Sequence, residues 1–357
     1  MPRIFALTLL CSLLLAQSRD EPVEAPQPFR VSTDLVVAPV TVYDHDGSYI
    51  NGIQPEQFHL YDNNKEQNIH VDIAYQPISI VIAIQANSHV QAILPQVQRI
   101  GNLISPLVIG DQGEAAVIAY DSRIRTLQDF TSDSDKITKA VKSIYPGSTS
   151  NRMIDAVVEG SRMLDSRPKN RRRIFLQIGE TRDLGSEFRA REALISIQLA
   201  NVEFYAVDMS RFLSTLTAPQ VQPRPDPLPA SAHPLPGGVP STPTTIATTY
   251  GLNGGRAEFL PLMLELLKDA KAIFKDNPVE LFTKGTGGSE FSFYKQRGLE
   301  EAIQKIGEEL HSQYLISYNP NNKGEGGFHQ ITVEVSGRTD VAKIQTRPGY
   351  WLAAKFN

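Results

Sequence analysis

The sequence predicts an α/β protein: a mostly parallel sheet with helices on both faces, set between β-strands from both ends of the chain. Three observations carry this. Largely apolar runs such as "ISIVIAI" (Ile78–Ile84) and "RRIFLQIG" (Arg172–Gly179) alternate with segments whose apolar residues recur every three or four positions, the pattern of buried strands joined by crossover helices. Residues 29–76 and 313–357 instead alternate apolar and polar residues, punctuated by Asp, Asn and Gly clusters, which is the hairpin pattern. Between 213 and 255 lie nine of the 24 prolines with hardly any charge, a composition that predicts an extended insert rather than a packed element.

The chain opens with "MPRIFALTLLCSLLLAQSRD": Arg3 as the one positive side chain ahead of an apolar run, then small and polar residues with Ala16-Gln17-Ser18 as a cleavage site. This predicts a signal peptide over 1–18 and an exported protein, periplasmic or extracellular. Retention as a short anchor is the alternative, although the run is shorter than the ~20 residues that span a bilayer. Leu10 before Cys11 does not suit lipidation. Because Cys11 is the only cysteine of the 357 residues, a cleaved chain has no disulfide, thiolate ligand or cysteine nucleophile. It also has no membrane span.

After a Pro-containing leader (21–28), "DLVVAPVTVYDHDG" and "EQFHLYDNNKEQNIHVDIAY" read as short strands forming an N-terminal β segment, 29–76. Asp44, Asp46 and Gly47 lack the further spaced oxygens of a calcium loop and read as a turn. From 77 to 212 the elements alternate. Ile78–Ile84 is a strand, and the apolar series from Val90 to Leu107 predicts one amphipathic helix. "GEAAVIAYD" and "IRTLQDF" are strands, and "DSDKITKAVKSI" is a helix with an acidic start. A helix follows over 151–165, then the strand "RRIFLQIG", the helix "SEFRAREALISIQLA" and the strand "VEFYAVDM". Order resumes after the insert with helices over 256–312, including "EFLPLMLELLKDAKAIFKD" and "GLEEAIQKIGEELHSQ". The Gly285–Gly288 run between them lacks the lysine of a phosphate loop and reads as a turn entering a strand. The C-terminal β segment, 313–357, completes a sandwich with the N-terminal one, since each alone is too small for a good core.

A net charge of −4 argues against nucleic acid or an anionic membrane as partner. Arg171-Arg172-Arg173, the one basic cluster, reads as a solvated loop entering a strand. No G-x-S-x-G, H-E-x-x-H or P-loop occurs, and the seven histidines are scattered. These absences argue against an enzyme.

In "PISIVIAIQ…GEAAVIAYDSRIRTLQDFTSD…RRRIFLQIGETRDLGS…ANVEFYAVDMS" the chain resembles a von Willebrand factor type A domain. Its flanks, "VTVYDHDGSYINGIQPEQFHLYDNNKEQNI" and "GTGGSEF…LEEAIQKIGEELHSQYLISYNP…GFHQITVEV…TRPGYW", are similar to the VWFA-related family described from acidobacteria. The resemblance implies a Rossmann-like domain inserted into an Ig-like β-sandwich. It also implies a metal-ion-dependent adhesion site at the carboxyl ends of the strands, where D-x-S-x-S, a Thr and a further Asp hold Mg²⁺.

This chain departs from that ligand set. Gln85, Asn87 and His89 stand at the D-x-S-x-S positions and Asn151 at the Thr position, with Thr149 two residues away. Ile178 or Gly179 stands at the Asp position, and Glu180 and Asp183 are the nearest acids. Without anionic ligands the stripping of water from Mg²⁺ is not offset, and a lone His89 suits a transition metal better. The expectation is therefore a degenerate site with no cofactor, Mg²⁺ or Mn²⁺ binding being the alternative. The function expected is non-catalytic: a scaffold that binds a protein partner through Gln85, Asn87, Ser88, His89, Thr149, Asn151, Glu180, Arg182 and Asp183. Arg182 and Asp183 read either as charged anchors for the partner or as an internal pair.

Overall fold

The computed structural model describes residues 35–72, 76–217, 277–293, 297–325 and 327–352. The expected signal peptide, most of the Pro-rich insert and the expected helix at 258–276 lie outside the described residues.

The first β segment contains β1 (Val36–Tyr43), β2 (Phe58–Asp62), β3 (Lys65–Glu66) and β4 (Ile69–Asp72). The turn after β1 is held by Asp44, whose Oδ1 accepts from the N–H groups of Asp46 at 2.9 Å and Ser48 at 2.8 Å. Here the Asp44 carboxylate shapes a turn.

The central sheet is built from β5 (Ile78–Gln85), β6 (Glu114–Tyr120), β7 (Ile124–Thr131), β8 (Arg172–Gly179), β9 (Val202–Asp208) and β10 (Glu290–Ser292), in the order β10-β9-β8-β5-β6-β7. All neighbours are parallel except the edge pair β6–β7. β5 is buried along its whole length because helices cover both faces, so apolar residues are needed at odd and even positions alike. Ile78, Ile80, Ile82 and Ile84 face one layer of helices, and Val81 and Ala83 the other.

The first layer contains α1 (Leu94–Ile104), α2 (Ser134–Lys142), α5 (Ser210–Thr217) and α7 (Arg297–Ser312). The second contains α3 (Met153–Asp165), α4 (Ala190–Leu199) and α6 (Pro278–Thr286). The single helix expected from Val90 to Leu107 is interrupted. A short 3₁₀ turn at Ser88–Val90 precedes α1, and a π turn at Ser105–Ile109 follows it. Pro106 has no N–H to continue the ladder, so the last turn widens. α5 runs to Thr217, into the segment expected to be extended. α6 takes in Gly285 and Thr286 from the stretch expected as a turn and ends where Gly287, at φ 85°, reverses the chain.

Arg172 and Arg173 also differ from expectation, since both are buried strand residues rather than a solvated loop. Arg172 pairs with Glu203 on β9 at 3.1 Å and donates to Leu310 O at 2.6 Å. Arg173 pairs with Asp165 at 3.1 Å and donates to Ala200 O at 2.8 Å. Carbonyls at the ends of α7 and α4 thus satisfy charges that a run of three arginines cannot reveal.

The chain returns through β11 (Tyr314–Tyr318), β12 (Gly327–Val335), β13 (Lys343–Thr346) and β14 (Gly349–Leu352). These pair antiparallel with the first segment in two four-stranded sheets, β13-β1-β11-β4 and β14-β12-β2-β3. Both sheets bury side chains in one core that includes Val40, Phe58, Leu60, Tyr314, Ile316 and Tyr350. The buried Arg347 links β1 to the turn between α4 and β9, donating to Val37 O and Asn201 Oδ1, each at 3.1 Å.

Candidate functional site

β5 and β8 are neighbours in register, Ile84 opposite Ile178, but β6 lies on the other side of β5. The strand order reverses there, and a crevice opens at the carboxyl ends of such a pair. Gln85 ends β5 and Gly179 ends β8, so Gln85 and Glu180 meet across it.

The fully buried Gln85 carboxamide makes three hydrogen bonds. Its Nε2 donates to Asn87 Oδ1 at 3.0 Å and to Glu180 Oε2 at 2.7 Å, and its Oε1 accepts from Glu180 N–H at 2.6 Å. The amide has one workable orientation: turned over, its oxygen faces two acceptors and its NH₂ faces a donor. One NH₂ group therefore sits between two side-chain oxygens, supplying partial positive charge where a cation would supply a full one.

Neighbouring amides lock the rim loops together. Asn87 donates to Thr149 O at 3.4 Å. Asn151 donates from its side chain to Arg182 O at 2.6 Å and exchanges backbone hydrogen bonds with Leu184. Gln177 donates to Tyr120 Oη at 2.9 Å and Glu180 O at 3.1 Å. Burial, the largest influence, pushes the Tyr120 hydroxyl well above its ordinary range and keeps it protonated. Asn151 Oδ1 and Gln177 Oε1 are buried acceptors without a partner among the described residues.

Ile178 points away from the crevice into the core under α1 and α7. A Cβ on Gly179 would lie 2.5 Å from Tyr120 Oη and 2.7 Å from both Gln177 Nε2 and Gln85 Oε1. Gly179 is one of the two positions the resemblance offers for an aspartate, and a side chain there requires the ends of Tyr120, Gln177 and Gln85 to shift. Among the described residues no group of three or more His, Cys, Asp or Glu is disposed to hold a metal.

The sequence-predicted contact residues divide by exposure. Gln85, Asn87 and Asn151 are completely buried and shape the rim without presenting a surface. His89, Thr149 and Arg182 are exposed, and Ser88, Glu180 and Asp183 are half-buried. Arg182 and Asp183 do not pair with each other. Asp183 Oδ1 accepts from Ile154 N–H at 3.0 Å and Ser186 Oγ at 2.6 Å, capping the start of α3. The Arg182 guanidinium has no partner among the described residues.

Sequence reading missed three exposed apolar residues on the same loops: Tyr145 (60% exposed), Leu184 (52%) and Phe188 (48%). Phe188 was counted into a helix that starts only at Ala190. Leu184 offered a signal, being an apolar residue between Asp183 and Gly185 with no periodic partner.

No family model matches the chain, and no curated protein matches it. Among solved structures it is similar to an aerotolerance-related membrane protein of Bacteroides fragilis, at 13% identity and TM-score 0.39, over 65% of this chain and 99% of that one. It is also similar to proximal thread matrix protein 1 of the mussel byssus, at 15% identity and TM-score 0.34, over 40% of this chain and 38% of that one. A third likeness is to the vWF domain of a type V pili tip protein from Porphyromonas gingivalis, at 13% identity and TM-score 0.27. It covers 31% of this chain, which spans only 40% of that one. The α/β architecture rests here on strand order and pairing rather than on these likenesses.

Proposed function

We propose that the protein is a non-catalytic, exported interaction or scaffold protein whose von Willebrand factor A-like domain binds a protein partner through a metal-free rim. The observation that carries this is the Gln85 amide, which joins Asn87 Oδ1 and Glu180 Oε2 at 3.0 and 2.7 Å. Oxygens already satisfied by N–H donors gain little from a divalent cation, which must also be stripped of water. The flanking sheets fit an Ig-like sandwich that carries the domain, in the manner of the acidobacterial VWFA-related proteins the sequence resembles. Export is the reading of the N-terminal segment, and no described helix is long and apolar enough to cross a membrane.

Calorimetric titration with Mg²⁺, Mn²⁺ and Zn²⁺ tests the metal-free rim, with affinity capture from the native envelope fraction with and without EDTA. Flat titrations and EDTA-insensitive capture are expected. A saturable heat at millimolar metal or below, or capture abolished by EDTA, overturns the proposal in favour of a metal-dependent adhesion module.

A further inference from the structure

Away from the crevice, three polar side chains meet on the outer face of the sheet β14-β12-β2-β3. β2 buries Phe58, Leu60 and Asp62, so the alternation of the strand turns His59 and Tyr61 outward. Glu66 on β3 stands opposite Tyr61, which places it diagonal to His59. Glu334 on β12 stands opposite His59, and Ser336 follows it two residues later. Glu66 Oε1 lies 3.1 Å from His59 Nδ1, and His59 Nε2 lies 3.3 Å from Ser336 Oγ. A carboxylate only accepts, so in the neutral imidazole Nδ1 carries the proton and Nε2 turns its lone pair to the serine hydroxyl.

This is the arrangement that activates a nucleophile: a hydroxyl within reach of a base, and the base oriented by a third group. The Ser336 backbone is pinned to Gln57, its N–H donating to Gln57 O at 2.8 Å and its O accepting from Gln57 Nε2 at 3.1 Å. The hydroxyl also reaches Gln57 O at 3.3 Å, but only the imidazole can take up the proton as the oxygen attacks. Ser336 is exposed, and Gly337, at φ 72°, adds no side chain beside it. Ser336 stands 277 positions from His59, so no local sequence motif carries the arrangement.

One usual part of a serine hydrolase is occupied. Such enzymes use the nucleophile's own N–H as an oxyanion donor, and here that N–H is committed to Gln57 O. An acyl donor with a good leaving group needs little of this help. The serine ester it leaves behind has a poor leaving group and needs it to be hydrolysed, so the acyl group stays.

We propose that Ser336 is a covalent acyl-acceptor site for activated acyl donors, thioesters or aryl esters, with His59 as its base and Glu66 orienting the imidazole. Ser336 Oγ attacks the carbonyl carbon and passes its proton to His59 Nε2. The bond from that carbon to the leaving sulfur or oxygen breaks, and the leaving atom takes the proton from His59. One ester forms on Ser336 and His59 is neutral again. The proposal goes beyond the reading of the rim and is independent of it.

The test treats the protein with p-nitrophenyl acetate and follows both absorbance and the masses of its peptides. A burst of one p-nitrophenol per chain is expected, with an acetyl on Ser336 that hydroxylamine removes, as it removes esters but not lysine amides. Ser336→Ala should abolish this acetyl. His59→Ala should slow its formation about 10²-fold with unchanged thermal unfolding, and free imidazole should restore it. Glu66→Gln should slow it less. Acetyl on lysines alone, or a rate at Ser336 indifferent to His59→Ala, overturns the proposal. Steady release beyond one equivalent that Ser336→Ala abolishes also overturns it, and with it the non-catalytic reading, whereas metal titration of the rim bears on neither.

Discussion

Gln85 and Glu180 are joined twice across the crevice between β5 and β8, by Nε2 to Oε2 at 2.7 Å and by Glu180 N–H to Oε1 at 2.6 Å. The amide answers a carboxylate with a donor and a backbone donor with an acceptor, so its two ends are not interchangeable.

Gln85→Glu tests this pairing. The substitution removes the donor and sets a second carboxylate against Glu180 in a buried crevice, at a cost of roughly 1–3 kcal/mol at pH 8. The loss should shrink as pH falls toward 5, where the two acids share a proton. Urea midpoints at the two pH values measure it.

Gly179→Ala tests the packing of the same crevice. Its Cβ would stand 2.5 Å from Tyr120 Oη and 2.7 Å from Gln85 Oε1. Overpacking of this kind costs about 1–3 kcal/mol. A lower urea midpoint is expected, and an unchanged one would show that the crevice has space to spare.

In the β region the completely buried Asp62 accepts from Tyr350 Oη at 2.7 Å, Tyr318 Oη at 3.0 Å, His329 Nδ1 at 2.7 Å and Asn322 Nδ2 at 3.0 Å. It joins strands of both four-stranded sheets, since Tyr318 lies on β11 while Asp62, His329 and Tyr350 lie on β2, β12 and β14 of the other. Asp62→Ala strands these donors without an acceptor, and a loss of about 3–5 kcal/mol is expected. Burial raises the hydroxyls of Tyr318 and Tyr350. Spectrophotometric titration should therefore find both tyrosines protonated until the chain unfolds.

Glu309 gives the pH dependence. Burial, opposed by hydrogen bonds from Ser289 and Tyr205, pushes its carboxyl up from 4.5 to about 7. The folded state then holds a proton that the unfolded state has released, so stability falls as pH rises from about 4.5 to about 7 and levels off above. Glu309→Gln should flatten this slope, making the variant relatively more stable at pH 8 than at pH 5, by a difference on the order of 1–3 kcal/mol. Denaturation at the two pH values decides it, and equal effects at both would remove Glu309 as the titrating group.

The apolar runs of β5, β8 and β9 and the helical periodicity of α2, α3 and α7 were legible because burial on both sheet faces, or on one helix face, imposes a local pattern. The break after α1 was legible in Pro106 but not read. Burial of Arg172 and Arg173 was not legible, because Glu203 lies on the neighbouring strand and Leu310 at the end of α7.

At the candidate site the sequence showed what is missing: no Asp at position 85, and none at 178 or 179. It did not show what took their place. Gln85 meets Glu180 across 95 positions of chain, and only the parallel pairing of β5 with β8 brings them to hydrogen-bond distance. The sequence by itself determined the order of elements, since each needs only its own apolar spacing. The tertiary structure alone decided which polar residues face inward and which face outward. Gln85, Asn87 and Asp183 hold the rim together, while Arg182, Leu184 and Phe188 face solvent, because the loops find their hydrogen-bond partners on one another rather than along the chain.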